Sequence, residues 1–453
     1  MTEAQRKKIF EELPISSAVL RQICPAIAAQ MVMLCYNLAD TYFVGLLNAP
    51  VSTAAVTIST APFLLLTGFA NLFGVGGAAA ISRALGEKNI AMTKTVSSTA
   101  FWSSLTISVI YSLLFFPFGK QILCICGATE QTLNASLAYA NWTVPIGGPA
   151  TVLSLMCANL LRAEGSTIKA FVGLSACGIL NVILDPLFTL PQFLGMGVAG
   201  AGLATALSNF CSFLFFLSVI IGDRNSVLSF SCRLLRDCFK VLWRILAIGF
   251  PSAVQLGLTV LSVAIQAKFV SKYSVAAIAA LGIAKKMDQL PLFFSLGVST
   301  GIMPLLAYND AAGNYKRCRK SFLLGTTISV VFSLGCLIIF EIWGRWLAAW
   351  FIDDAQTIDF AAAFLRCLVI AMPLMAICYP MIILFQAMGK AKEALICSLL
   401  RKGLVDIPVI FVMDCLIPLY GCMCVQPIVD TIALICTIFI YRRIMSQRQK
   451  QIV

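Results

Sequence analysis

Residues 198–222 read VAGAGLATALSNFCSFLFFLSVIIG, 25 residues without a charged side chain. An α-helix that crosses the hydrocarbon core of a bilayer needs about 20 mostly apolar residues, so this stretch is long enough to span a membrane. The whole chain agrees, because 60% of its 453 residues are hydrophobic and only 12% are charged, whereas a soluble domain has about 25% charged residues. The sequence therefore excludes an ordinary soluble enzyme, a disordered chain and a disulfide-stapled secreted module.

Eleven further apolar stretches predict an all-α polytopic membrane protein with twelve transmembrane helices. Dividing 453 residues by twelve leaves about 38 for each helix and its connection, which leaves no room for a soluble domain. The runs are too continuous for barrel strands, which alternate over about 10 residues. Charge clusters, Pro and Gly place the helices at 17–46, 51–81, 95–118, 133–161, 168–190, 198–222, 242–271, 276–305, 321–345, 357–387, 394–414 and 421–442.

The basic residues predict the orientation, because loops rich in Lys and Arg stay on the cytoplasmic side. Both termini are therefore predicted to be cytoplasmic, in a multi-pass protein of the cell (inner) membrane. The net charge of +13 is explained by this topology and by contact with anionic lipid, so we expect no nucleic-acid partner. The residues assigned to the inside include Arg6, Lys7, Lys8, Arg83, Lys88, Arg162, Lys169, Lys316, Arg317, Arg401 and Lys402.

Landmarks of the first half recur in the second at an offset close to half the chain length, about 226 residues. This pattern predicts an internal duplication, with six helices in each repeat and both repeats starting on the same side of the membrane. We predict an N-terminal lobe at 1–222, a basic linker at 223–240 and a C-terminal lobe at 241–453, facing each other across a central cavity. The matched landmarks are Phe43-Val44 with Phe269-Val270, Gly74-Val75 with Gly297-Val298, Gly86 with Gly313, Gly165 with Gly389, and Asp185-Pro186 with Asp406-Ile407-Pro408.

Carboxylates at membrane depth are the strongest functional signal, because an ionisable group in a span is costly. Asp40 has Asn37 one turn away on its helix, and Asp185 has Asn181 four residues earlier on the same face. Pro186 removes a backbone donor beside Asp185. Two carboxylates with neutral oxygens suit a hard monovalent cation or a shared proton. The alternative is a structural role, in which the acids satisfy one another or a backbone group.

Several chemistries are absent from the sequence. The chain has no histidine, which excludes Ser-His-Asp hydrolysis and HExxH metalloproteolysis. It has no GxxxxGK[ST] loop for ATP, and its 18 cysteines lack zinc-like spacing and suit small buried hydrophobes. We therefore expect no enzyme activity and no cofactor apart from a coupling H⁺ or Na⁺. A channel also fits a duplicated bundle, but no filter-like repeat occurs.

Six motifs taken together resemble the multidrug and toxic compound extrusion (MATE) family over essentially the whole chain. They are NLADTYFVG at 37–45, RALGEKN at 83–89, NVILDPLF at 181–188, GVAGAGLATALSN at 197–209, MPLLAYNDAAGNYKR at 303–317 and VQPIVDT at 425–431. The resemblance implies two six-helix lobes and export of organic, often cationic, compounds driven by cation influx. It also implies a cation site in the N-terminal lobe at Asp40, Asn181, Asp185 and Thr205.

The resemblance favours the family branch whose cation site lies in the N-terminal lobe, because helix 7 carries Gln255 where another branch has Glu. We predict a rocking H⁺ or Na⁺ antiporter that works as a monomer on small organic substrates. A lipid-linked sugar or lipid flippase of the same superfamily is the alternative, with Lys285 and Lys286 as its only weak support. The predicted substrate contacts are Tyr36, Asn37, Asn159 and Asp288.

Overall fold

The computed structural model describes residues 1–47, 50–223, 225–270 and 272–452, and every regular element in these ranges is helical. Twelve long segments, named spans 1 to 12 here, correspond one to one with the twelve predicted helices. Spans 1 to 6 are Ile15–Gly45, Pro50–Gly86, Ile90–Ile125, Glu130–Ile146 with Gly148–Ala163, Thr167–Thr189 and Val198–Gly222. Spans 7 to 12 are Cys238–Val270, Val275–Ala311, Tyr315–Ala349, Ala355–Val369 with Ala371–Ala387, 391–416 and Gly421–Ile452.

Three spans depart from the continuous helices that the sequence predicts. Span 4 bends by 51° where a π-helical turn containing Pro145 meets Gly147, and span 10 bends by 45° between Val369 and Ala371. Span 11 is broken, because Lys402 is extended and Gly403 has a φ of +108°. Glycine adopts that left-handed region without steric cost. Within the described residues, nine helices and the two bent pairs are long and apolar enough to cross a membrane, and the broken span 11 is not among them.

The two halves of the chain pack through two equivalent helix–helix contacts. Span 7 of the second half lies on span 2 of the first, where a Cβ at Gly249 would overlap the carbonyl oxygen of Leu72. Span 8 lies on span 1, where a Cβ at Gly297 would come within 2.6 Å of the Ile27 Cα. Small residues are what allow helix backbones to approach this closely in membranes. The interface therefore has approximate twofold symmetry, as the sequence duplication predicts.

The close contacts between the halves lie toward one end of the bundle. We call this the basic end; it comprises residues 1–14 and the turns at 86–89, 164–166, 312–314 and 388–390. Gly86 packs there against the Tyr308 carbonyl. Toward the other end of the same spans, a Cβ at Gly68, Gly257 or Gly282 would meet nothing within 4 Å. Among the described residues, the glycine contacts thus hold the lobes together at the basic end.

An ion pair on the approximate symmetry axis also joins the lobes at the basic end. Arg83 Nη1 lies 3.0 Å from Asp310 Oδ2 and donates to the Ala387 carbonyl at 3.3 Å. Arg83 precedes Gly86 by three residues, and Asp310 precedes Gly313, the matched landmark, by the same number. The pair therefore joins equivalent positions of the two repeats.

The segment that connects the halves is packed on the first half. Ser98 Oγ donates to the Ser229 carbonyl at 2.6 Å, and Trp102 Nε1 donates to the Phe230 carbonyl at 2.9 Å. At its start, the Lys169 ammonium beside Asp223 holds the pKa of that carboxyl well below its usual range. Arg224 of the predicted linker lies outside the described residues. The boundaries 1–222, 223–240 and 241–453 stay predictions.

Replacing Gly249 with alanine should separate spans 2 and 7 at the basic end. Its methyl group would overlap the Leu72 backbone, which cannot rotate away, and overpacking of this kind costs about 1–3 kcal/mol. We expect a lower melting temperature in detergent. The matched control is Gly257→Ala in the same helix, which meets open space and should gain about 0.5–1 kcal/mol from helix propensity. Equal melting temperatures for the two variants would contradict the proposed close contact.

Candidate functional site

Four predicted residues come together in the first half of the chain, on spans 1, 5 and 6. Asp185 is fully buried and Asn181 nearly so. Asn181 Nδ2 donates to Thr205 Oγ1 at 3.3 Å. The carboxyl group of Asp40 lies close to that of Asp185. The structure thus assembles the predicted set of Asp40, Asn181, Asp185 and Thr205 in one place, which we call the N-lobe acid site.

The N-lobe acid site has more buried acceptors than donors. Among the described residues, no donor reaches Asp40 Oδ1, Asn181 Oδ1 or either carboxylate oxygen of Asp185. A buried acceptor without a donor costs about 1–3 kcal/mol, and more when it is charged. A proton shared between the carboxyls, or a monovalent cation held by these oxygens, would remove that cost. Within the described residues, no three His, Cys, Asp or Glu side chains gather in a metal-binding group.

The local sequence explains how span 5 presents these oxygens. Asn181 and Asp185 are four residues apart and so share one face of the helix Thr167–Thr189. Pro186 has no N–H, so it cannot donate to the carbonyl of Val182. Gly178 lets span 5 approach span 1, because a Cβ there would lie 3.2 Å from Tyr36 Cδ1.

Tyr139 belongs to this site although the sequence analysis did not select it. Its side chain is buried and lies near Thr205, Asp40 and Asp185. Span 6 brings it there, since a Cβ at Gly202 would lie 2.8 Å from the Tyr139 carbonyl. No motif marks Tyr139; the only available signal is a polar aromatic residue in a short run of low hydropathy.

The four predicted substrate contacts do not form one group. Tyr36 lies beside Asp40 in the wall of the N-lobe acid site, and Asn37 is exposed on the same helix. Asn159 lies toward the basic end, where its amide donates to the Leu155 carbonyl at 3.1 Å and accepts from Arg162 Nη1 at 3.0 Å. Asp288 lies in the second half of the chain, in a separate set of charged residues described next.

A buried charged network forms where span 11 is broken. Arg401 Nε lies 2.8 Å from Asp430 Oδ1, and both side chains are at most 2% exposed. Gln426 completes the network by donating to Asp430 Oδ2 at 3.0 Å and accepting from Lys402 Nζ at 2.7 Å. The arginine also lies over the Tyr379 ring, 4.1 Å from its centroid. We call the set the C-lobe charge cluster; its members are Lys285, Asp288, Arg401, Lys402, Asp406, Gln426 and Asp430.

The placement of Arg401 and Lys402 corrects the sequence analysis. Both were counted among the basic residues of the inside face although they lie within the predicted helix 394–414, and both are buried within the lobe, at most 7% exposed. The physical reason is the helix break, which turns the two side chains toward Asp430 and Gln426 on span 12. A charge paired in this way remains buried, because its partners replace water.

The family model MatE matches the chain twice, at residues 25–187 and 251–412. The two matches begin 226 residues apart, which is the offset of the sequence landmarks. They cover well over half of the chain, which therefore belongs to the MatE family. It is a membrane transporter and not an enzyme.

Two relatives are each named multidrug export protein MepA. That of Staphylococcus haemolyticus is 31% identical over 435 residues, covering 95% of this chain and 94% of the relative. That of Staphylococcus aureus is 30% identical over 417 residues, covering 91% and 90%.

Solved structures share the fold. One described as the outward-facing conformation of a multidrug resistance MATE family transporter has a TM-score of 0.90 at 23% identity, over 99% of this chain and 100% of the other. A MATE P26A mutant has a TM-score of 0.92 at 22% identity, over the same shares. The neighbours are twelve-helix transporters with two lobes, so the predicted fold class is confirmed.

Proposed function

We propose that this protein is a secondary active antiporter that exports small organic, often cationic, compounds in exchange for H⁺ or Na⁺. The observation that carries the proposal is the N-lobe acid site, where four buried oxygens of Asp40, Asn181 and Asp185 have no donor among the described residues. The names of its relatives, multidrug export proteins, support the substrate class. Such compounds and the bilayer would be its partners.

The coupling would arise from differential binding of the cation to two arrangements of the lobes. The N-lobe acid site draws on three spans: Asp40 from span 1, Asp185 from span 5 and Thr205 from span 6. A proton or Na⁺ between the carboxyls removes their mutual repulsion and favours the arrangement that keeps these spans together. Substrate would favour the other arrangement, so neither ligand has to touch the other. The lobes would rock so that the close contacts at the basic end are made in one arrangement and broken in the other.

The basic end would face the cytoplasm of the cell membrane, with both termini on that side. Lys and Arg lie in its turns, which is the pattern of cytoplasmic loops. One chain supplies both lobes and their interface, so we propose that a monomer is the working unit. Each charge that crosses a potential of 100 mV supplies about 2.3 kcal/mol, enough for about a fiftyfold substrate gradient.

A flippase for lipid-linked sugars or lipids is the second candidate. It would need lysines that are available to bind phosphate. Lys285 lies in the C-lobe charge cluster, where Asp288 and other acids partly balance its charge. This arrangement favours drug export over phosphate recognition.

The test of the function is efflux of a fluorescent organic cation from proteoliposomes, with pH and Na⁺ gradients imposed separately. We expect one of the two gradients to drive efflux and the other to have little effect. Efflux that continues unchanged when both gradients are absent, or that requires ATP, would contradict an antiporter.

The coupling cation should also stabilise the purified protein before any substrate is added. A ligand that binds only the folded state, at about 100 times its Kd, adds about 2.7 kcal/mol. We expect the melting temperature to rise with Na⁺ or with protonation in the wild type, but not in a variant with both Asp40→Asn and Asp185→Asn. K⁺ at the same ionic strength is the control for a general salt effect. Equal rises in melting temperature in the wild type and in this variant would show that the cation binds at another site.

A further inference from the structure

The first thirteen residues, which we call the N-terminal strap, cross the basic end. The strap has a short helix, Glu3–Lys7, and a π-helical turn, Lys8–Glu12, before Pro14 and span 1. The side chain of Phe10 is completely buried and that of Ile9 nearly so. Burying a large apolar side chain at a chain end stabilises a docked position of that end.

Phe10 lies between the two lobes. Its ring stacks on Tyr308 of span 8, with centroids 4.8 Å apart and planes 14° apart. On its other side lies Gly165 of the first lobe, where a Cβ would come within 3.3 Å of the ring. Gln22 of span 1 holds the turn of Gly165 in place by donating to its carbonyl at 3.4 Å. The ring thus contacts one residue from each half of the duplicated structure.

Polar contacts attach the strap to the second lobe. Arg317 of span 9 donates from Nε to the Phe10 carbonyl and from Nη2 to the Leu13 carbonyl, both at 2.7 Å. Tyr308 donates its hydroxyl to Glu11 Oε1 at 2.6 Å. Carbonyls at the end of a helical turn lack helical partners, and Pro14 has no N–H to offer. Hydrogen bonds from a charged group are roughly twice as strong as neutral ones.

The strap is covalently part of the first lobe, where its terminal ammonium also lies 2.9 Å from Asp223 Oδ2, and it is hydrogen-bonded to the second lobe as well. It crosses the same interface as the Arg83–Asp310 pair on the symmetry axis. Opening the basic end would move Tyr308 and Arg317 away from Gly165, so the contacts of Phe10 could not be kept on both sides. The basic end is therefore held closed by contacts of the strap, which break when this end opens, in addition to the packing of the spans.

We propose that the N-terminal strap and the Arg83–Asp310 pair form a latch that holds the lobes together at the basic end and controls how often this end opens. The latch residues are separate from the groups that would bind the coupling cation. The contacts of the latch lie at the basic end, whereas the N-lobe acid site lies in the half of spans 1, 5 and 6 away from that end.

The test measures the distance between the lobes at the basic end. Nitroxide labels on ketone-bearing amino acids at Lys88 and Lys316, both exposed, leave the native cysteines unlabelled. Distances between the labels are measured by pulsed electron resonance in nanodiscs, without substrate. We expect Phe10→Ala and Arg317→Gln each to raise the long-distance population at least about fivefold, the factor that a loss of about 1 kcal/mol produces.

The matched control is Lys7→Ala in the strap itself, whose only described ion pair, with Glu12, is exposed; it should leave the distances as in the wild type. Tyr308→Phe removes the bond to Glu11 and keeps the stacked ring, so it should fold normally and give a smaller shift. Adding Arg83→Gln to Phe10→Ala should increase the shift. Wild-type distance distributions in Tyr308→Phe, Phe10→Ala and Arg317→Gln would overturn the latch.

Discussion

Replacing Asp40 with asparagine should abolish cation-coupled efflux while leaving the protein folded in the membrane. The amide keeps the shape of the side chain but removes the charge that a cation or a shared proton neutralises. Asp185 would then lack the second carboxylate with which it can share a proton or hold a cation. We expect efflux in proteoliposomes to fall to the level of empty vesicles, and Asp185→Asn to have the same effect.

A measurement of stability separates this coupling role from a structural one. Asp40 and Asp185 carry buried oxygens that no donor of the described residues reaches, so removing a charge relieves a desolvation cost and should leave the melting temperature equal or higher. Asp359→Asn is the matched control, because that carboxylate is exposed in a surface pair with Arg345 and exposed pairs contribute at most about 1 kcal/mol. Efflux at the wild-type rate by the Asp40→Asn variant, or a large fall in the melting temperature of this variant, would contradict the coupling role.

Replacing Asp430 with asparagine should destabilise the second lobe strongly. Its carboxylate accepts from Arg401 and from Gln426 in a place without solvent. Removing one partner of a buried ion pair leaves the other charge uncompensated, which costs about 3–5 kcal/mol. We expect low yields in the membrane and a markedly lower melting temperature in detergent.

The matching double variant is the control for this prediction. Asp430→Leu combined with Arg401→Met removes both charges at similar volume, and exchanges of this kind are often neutral or stabilising. The double variant should therefore melt above either single variant. If the stability lost in the double variant equals the sum of the losses in the two single variants, the pair contributes nothing through its mutual attraction.

The sequence was sufficient to predict the twelve spans, because an apolar run of about 20 residues has few alternatives in a bilayer. It also predicted that Asn181 and Asp185 share a helix face, since spacing along one helix is a local property. The approach of Asp40 to them came from the family resemblance and is reproduced by the structure. Whether this site binds the coupling cation stays a prediction.

What the sequence could not predict depends on contacts between distant residues. Arg401 and Lys402 match the pattern of a cytoplasmic loop, and only the partner Asp430 on the next span shows that they are buried. The partner of Arg317 in the N-terminal strap is 307 residues away along the chain. Neither pairing has a periodic signal, because each depends on how whole helices pack and not on the spacing within one.

The Arg83–Asp310 pair has a consequence for the history of the duplicated chain. A true homodimer places the same side chain twice at its twofold axis, so arginine would face arginine, or aspartate would face aspartate, across 3.0 Å. Like charges that close repel. The attractive pair therefore requires two unequal copies, and it became available only after the halves had diverged. It also makes the halves non-interchangeable, since two N-terminal or two C-terminal lobes brought together on this axis would be driven apart by their own charges.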